Sequence, residues 1–189
     1  NLLMPAILAG TNPRIVNLSS AGHTHSDVNL DDPNFEKSEY NAWESYGRSK
    51  SANIHFTQEI VRRYGDRIQS FAVHPGVIMT ELGRHLTPEL MNEMTERVKS
   101  RSTSSSKAKE TGALPFKSVE AGAATQVWAS VTEDLSESNG AYLGDCQVGV
   151  EGGNPSESGY LPYIFNRDTA EALWSLSEEL VKQEFPKAT

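Results

Sequence analysis

The chain opens on an apolar stretch, "NLLMPAILAG", and then alternates short β-branched runs with longer amphipathic ones. Arg14 to Ser20, "RIVNLSS", is a compact apolar run ending in small polar residues and predicts a buried strand. His23 to Trp43 are polar, include Pro33 and predict a loop. From Glu44 to Tyr64, Ala52, Phe56, Ile60 and Tyr64 recur at intervals of four, the stripe of a long helix. Gly65 stands where such a helix stops. "RIQSFAVHPG" (Arg67 to Gly76) predicts a second strand, halted by Pro75-Gly76. Residues 87–99 are weakly helical, and the low-complexity "KSRSTSSSKAKETG" (Lys99 to Gly112) predicts a mobile loop or the edge of a lid.

Ser118 can cap a further helix, with Glu120 in its first turn, running to about Val131. "AYLGDCQV" (Ala141 to Val148) predicts a third strand. Asp168 to Lys182 predicts a last helix with Ala172, Leu173, Leu176 and Leu180 on its buried side. Trp128 and Trp174, on these two helices, are expected in the core or an interface. Strand, helix, strand, helix, strand is the βαβ alternation of a parallel α/β sheet with flanking helices. The expectation is a single α/β domain over residues 1–189, without internal repeats.

Composition narrows the function. A chain of 189 residues with a hydrophobic fraction of 37% can bury a core and should fold. A net charge of -8 argues against nucleic acid or an anionic membrane as partner, because both require a basic face. The lone Cys146 leaves no intramolecular disulfide, suits a reducing cytosol and points to a cytoplasmic protein; it is expected to pack as a small apolar residue. No apolar run approaches the roughly 20 residues of a bilayer span. The opening is short, lacks a basic leader and contains Pro5, so a signal peptide is not expected. Asn1 begins inside a helix-like apolar pattern, with neither a cap nor an initiator methionine, as a sequence continuing upstream does.

The chemistry lies where strands end and helices begin, the working edge of an open parallel sheet. Ser19-Ser20 stands at one such end and "HPGVIMTE" (His74 to Glu81) at another. Between them, "YNAWESYGRSK" places Tyr46 and Lys50 four apart, on one face of a helix. A phenol is a poor acid or base at neutral pH, with an ordinary pKa near 10. An ammonium group beside a phenol favours the phenolate, and a serine hydroxyl opposite can hold a carbonyl or alkoxide oxygen. His23, His25 and Asp27 lack a third or fourth ligand at a diagnostic spacing. No metal is expected there, and both histidines are read as solvated. His74 is read as a strand-end packing residue.

Tyr-x-x-x-Lys is common by chance; its combination with a strand ending Ser-Ser and a strand ending Pro-Gly-x-x-x-Thr is specific. "RIVNLSSAGH", "YGRSKSANIHFTQEIVRRY", "FAVHPGVIMTEL", "EAGAATQVWAS" and "LWSLSEELV" together resemble the C-terminal half of a short-chain dehydrogenase/reductase, of the retinol-dehydrogenase-like branch. The resemblance implies a truncated Rossmann-like sheet. It implies Tyr46 as catalytic acid/base, Ser20 as the substrate-orienting serine, and Lys50 as the lysine that favours the phenolate and holds the nicotinamide ribose. Pro75, Gly76, Val77 and Thr80 resemble the segment touching the nicotinamide end of NAD(P). The family's glycine-rich pyrophosphate turn has no counterpart: the pair Gly152-Gly153 comes late, after the third strand.

Three readings stand at this point. One is an NAD(P)-dependent oxidoreductase acting on a small-molecule ketone, aldehyde or alcohol. Another is a cofactor-free proton-transfer enzyme (an isomerase, dehydratase or cyclase) using the same Tyr46, Lys50 and Ser20. The last is a non-catalytic binding or dimerisation module. A sheet lacking its first half leaves "RIVNLSS" at an open apolar edge; if the 189 residues are the whole protein, a homodimer or higher oligomer is expected, formed through that edge and helix 44–64.

Overall fold

A computed structural model describes residues 2–102, 116–133 and 135–185. Three parallel strands, β1 (Arg14–Leu18), β2 (Gln69–His74) and β3 (Tyr142–Gly144), form the sheet with β2 in the middle. Val16 stands opposite Phe71, and Ala72 opposite Tyr142. Strand β4 (Gln147–Val148) turns back antiparallel onto β3, and β5 (Val150–Glu151) and β6 (Gly159–Tyr160) make a short ladder of their own. The helices are α1 (Met4–Leu8), α2 (Ala42–Tyr64), α3 (Pro88–Ser102), α4 (Val119–Val131) and α5 (Arg167–Val181).

Residues Ser70 to His74 of β2 are all buried, because helices cover both sheet faces. Successive side chains of a strand point to opposite faces. Phe71 and Val73 accordingly pack with Ala129 of α4, Leu135 and Leu143. Ala72 packs on the other face with Ile54 of α2, Tyr142 and Ile164. This two-sided burial is why the strand reads as a continuous apolar run rather than an alternating one.

Helix α2 begins at Ala42, two residues before the expected Glu44, because the Asn41 side chain caps it by accepting the Glu44 N–H at 3.0 Å. Of the expected stripe, Ile60 and Tyr64 are buried with Met4, Ile68 and Trp174, while Phe56 stacks on Trp174 of α5 at 5.6 Å. Polar residues of the same helix are buried too, because the sheet, a 3-10 turn at Ala21–His25 and α5 surround it. Each has a partner: Ser51 donates to the Ser26 carbonyl at 2.8 Å, His55 meets Asp27 at 2.7 Å, and Glu59 accepts from Arg63 at 2.7 Å.

Several expectations need correction. Residues 141–148 form a hairpin rather than one strand: Asp145 and Cys146 both have positive φ, at 50° and 53°, and reverse the chain. Cys146 is therefore exposed at the turn instead of packed. The buried face of α5 is set by Ala170 and Trp174; Ala172 and Leu180 are exposed. His23 is fully buried, not solvated, and its Nδ1 lies 2.7 Å from the Ser20 carbonyl. Lys99–Ser102 of the low-complexity stretch continue α3, and 103–112 lie outside the described residues. No helix among the described residues is long and apolar enough to cross a membrane.

Candidate active site

Strand β1 gives way to Ser19 and Ser20, which take different roles. Ser19 is buried and ties the strand end to α2 by donating to the Lys50 carbonyl at 2.9 Å. Ser20 is extended and caps the Ala21–His25 turn; its Oγ accepts the Gly22 N–H at 3.0 Å, which leaves its hydroxyl proton to donate. Tyr46 comes to this turn on α2. A β-carbon at Gly22 would lie 2.4 Å from Tyr46 Cε1, and one at Gly47 would lie 2.7 Å from the Ser26 nitrogen, so two glycines allow the helix its close approach.

Lys50 is one turn further along the same face. Its Nζ is 5.5 Å from the centre of the Tyr46 ring and 3.4 Å from the Leu18 carbonyl. Burial lowers the pKa of this ammonium from the ordinary lysine value.

The opposite wall begins where β2 ends. His74 is buried and its Nδ1 accepts from the Ala21 N–H at 3.2 Å and the Gly76 N–H at 3.4 Å, so one ring joins the serine turn to the Pro-Gly turn. Its packing role is thus as expected. Its pKa falls to about 4, through burial first and the Lys117 charge second. Gly76 has φ +88°, and a β-carbon there would meet Lys117 Cε at 2.6 Å. The Lys117 ammonium pairs with Asp145 across this turn. Thr80 caps the next turn, Glu81–His85, by accepting the Leu82 N–H at 3.3 Å.

Ser20, Tyr46, Gly76, Val77 and Thr80 line one cavity of about 330 Å³. Lys50 and Pro75 stand beside it without lining it. A second cavity, of about 470 Å³, opens between α2 and α5 around Phe56, Leu173 and Trp174. It is larger, but the one acid on its wall, Glu178, is taken by the Trp174 indole and the Phe185 N–H, so it offers little chemistry. No three His, Cys, Asp or Glu side chains gather as a metal-binding group among the described residues.

Sequence reasoning missed Gly22 and Trp43. Gly22 follows Ser20 by two, and Trp43 precedes Tyr46 by three on one helix face; that spacing alone places it on the cavity wall.

No protein-family model matches the chain. Curated relatives do. Oxidoreductase calI of Penicillium decumbens is 37% identical over 189 residues, covering 95% of this chain and 52% of its own. Short-chain dehydrogenase/reductase prx1 of Penicillium roqueforti is 35% identical over 187 residues, covering 95% and 51%. Over nearly its whole length the chain is thus similar to proteins named as oxidoreductases and short-chain dehydrogenase/reductases. Human retinol dehydrogenase 14 is likewise 34% identical over 183 residues, covering 96% of this chain and 48% of its own. The chain spans about half the length of the curated relatives it matches. Its fold is similar to the crystal structure of an uncharacterised protein from Mycobacterium paratuberculosis, with a TM-score of 0.59 and 25% identity over 92% of this chain and 52% of that one.

Proposed function

We propose that the chain carries the catalytic half of an NAD(P)-dependent oxidoreductase that interconverts a small-molecule ketone or aldehyde with its alcohol. The observation that carries this reading is the single cavity shared by Ser20, Tyr46 and the Gly76–Thr80 segment, with Lys50 beside the Tyr46 ring. In the reducing direction Ser20 donates a hydrogen bond to the substrate oxygen. Tyr46 gives that oxygen its proton as negative charge develops there, and the Lys50 ammonium sustains the resulting phenolate. In the oxidising direction Tyr46 removes the hydroxyl proton instead.

Bound nicotinamide would supply or accept the hydride. Pro75, Gly76, Val77 and Thr80, together with Tyr46 and Lys50, would hold its ribose end; the turn at Gly76 fits this role because it has no side chain and presents its backbone. Among the described residues there is no glycine-rich strand-to-helix turn of the kind that holds a pyrophosphate. A second reading is proton transfer by the same three residues without a nucleotide.

Titration of this chain with NADH and NADPH, followed by nicotinamide fluorescence, separates the two. Saturable binding supports the redox reading, and its absence up to high concentration transfers the case to proton transfer.

Self-association belongs to the same proposal. Strand β1 is an edge of the sheet, and Leu18 at its end is 48% exposed. The Phe56 face of α2 is already covered by α5, so the β1 edge is the stronger contact surface. A single monomeric mass by light scattering removes this part of the proposal.

A further inference from the structure

Gly76 is the least constrained residue on the wall of the Tyr46 cavity. At φ +88° it adopts a conformation that suits glycine alone, yet glycine has many other backbone conformations open to it. Pro75 fixes its own φ and leaves that of Gly76 free. The constraint comes instead from Lys117. A β-carbon at Gly76 would meet Cε, Cδ and Nζ of Lys117 at 2.6, 2.7 and 2.8 Å, so the lysine side chain lies across the glycine. Gly76 is on the cavity lining and Lys117 is not, so the lysine backs the wall without entering the site.

Lys117 is itself anchored at both ends. Its backbone N–H donates to the Val77 carbonyl at 2.8 Å, and the residue bridges to Ile78, just past the Pro-Gly turn. Its ammonium pairs with Asp145. Asp145 has φ 50° in the β3–β4 hairpin, and the next residue, Cys146, gives its N–H to Thr125 of α4 at 3.2 Å. A flexible four-carbon stem loses entropy when it is laid along a glycine. The carboxylate at its tip supplies what offsets that loss.

We propose that Lys117, clasped by Asp145, is a positioning residue that holds the Gly76–Val77 backbone as a fixed wall of the Tyr46 cavity. The use of that wall by a nicotinamide rests on the oxidoreductase reading; the clasp stands on its own geometry. Lys117→Met keeps most of the stem and removes the ammonium. Asp145→Asn removes the carboxylate charge, and asparagine suits a φ of 50° as well as aspartate does. Neither residue lines the cavity.

The test labels the glycines of the 189-residue chain isotopically and follows hydrogen exchange at the Gly76 amide by NMR, beside a thermal melt. Gly65 and Gly140, whose N–H groups are bonded in other turns, are the controls. In either variant Gly76 should exchange about fivefold faster, the scale of a partly exposed ion pair, with both controls within about twofold. The melting temperature should stay within about 4 °C. The double variant should be no looser at Gly76 than either single one, because both remove the same contact. His74, whose Nδ1 accepts the Gly76 N–H, provides a further check. The Lys117 charge lowers its pKa and the Asp145 charge raises it, so the two variants push His74 in opposite directions. Loosening of Gly76 in both variants is then the work of the clasp and not of His74.

An unchanged Gly76 in either variant, opposite changes in the two, or equal acceleration at all three glycines overturns the proposal. Where the parent chain saturates with NADH or NADPH, both variants should bind it about fivefold more weakly, and equal binding also overturns the proposal. A parent chain that takes up neither nucleotide retires the redox reading alone, and the Gly76 amide still decides the clasp.

Discussion

Tyr46 is seated on Gly22: a β-carbon at position 22 would stand 2.4 Å from Cε1 and 2.6 Å from Cδ1 of the ring. Gly22 belongs to the turn that Ser20 caps, so one backbone position governs how the phenol and the hydroxyl face each other. Gly22→Ala should push the ring from its seat while the fold persists. A displacement of that order is expected to lower turnover about 100-fold. Steady-state kinetics beside a thermal melt check this, and unchanged kinetics would mean that the seat is not what orients Tyr46.

Tyr46→Phe removes only an oxygen from a ring that is already 36% exposed, so stability should hold. Turnover should fall by roughly 10²–10⁴-fold, the usual share of a positioned acid or base. Lys50 adds a pH signature. Burial lowers its pKa, so its charge, and with it turnover, should be lost on raising the pH before the ordinary lysine range is reached. In Lys50→Arg, which keeps its charge, that alkaline limb should move upward in a pH–rate profile.

His74 makes stability pH-dependent in a definite direction. Folded, it titrates at about 4 rather than 6.5 because it is buried, so between those values the unfolded chain binds more protons. Stability is then intact above pH 6.5 and lost as the pH falls towards 4, by about 3 kcal/mol in all. Glu59 acts in a lower window. Burial alone would raise its pKa, but hydrogen bonds from Arg62 and Arg63 hold it below the ordinary 4.5, so its contribution is lost only as the pH falls below that value. Urea unfolding at a series of pH values should show the upper window in the parent protein and a flattened one in His74→Gln.

Trp174 anchors α5 against α2. It is 3% exposed, stacks on Phe56 at 5.6 Å, and carries the Arg63 guanidinium over its ring at 4.3 Å. Trp174→Ala should cost about 3–5 kcal/mol, read as a lower urea midpoint with little change in slope.

Much of this was legible before any coordinates. The strands at Arg14 and Gln69 are apolar runs bounded by small polar residues or Pro-Gly, and α2 carries a stripe and a terminating glycine, although its Asn41 cap went unread. Tyr46, Ser20, Gly76, Val77 and Thr80 could be placed together because parallel strands deliver their ends to one edge. What stayed hidden depended on tertiary packing. His23 reads as a loop histidine, yet the turn it occupies is pressed between α2 and the 3-10 turn at Pro162–Phe165, where the Tyr163 hydroxyl donates to its carbonyl. The phase of α5 was misread because leucines outweighed Ala170 and Trp174 in the pattern. Asp145-Cys146 is a poor turn signal by composition, so the hairpin it makes looked like one strand.

The parallel ladders have a consequence for how the site comes into being. Arg14 pairs with Gln69 and Ala72 with Tyr142, so no hairpin of neighbouring residues can start the three-strand assembly. Such a topology has high contact order and folds slowly, since distant segments must meet before any ladder forms. The serine turn, the phenol helix and the Pro-Gly turn each hang from a different part of that assembly. They acquire their mutual positions together, near the end of folding, which makes the cavity itself a reporter of complete chain closure.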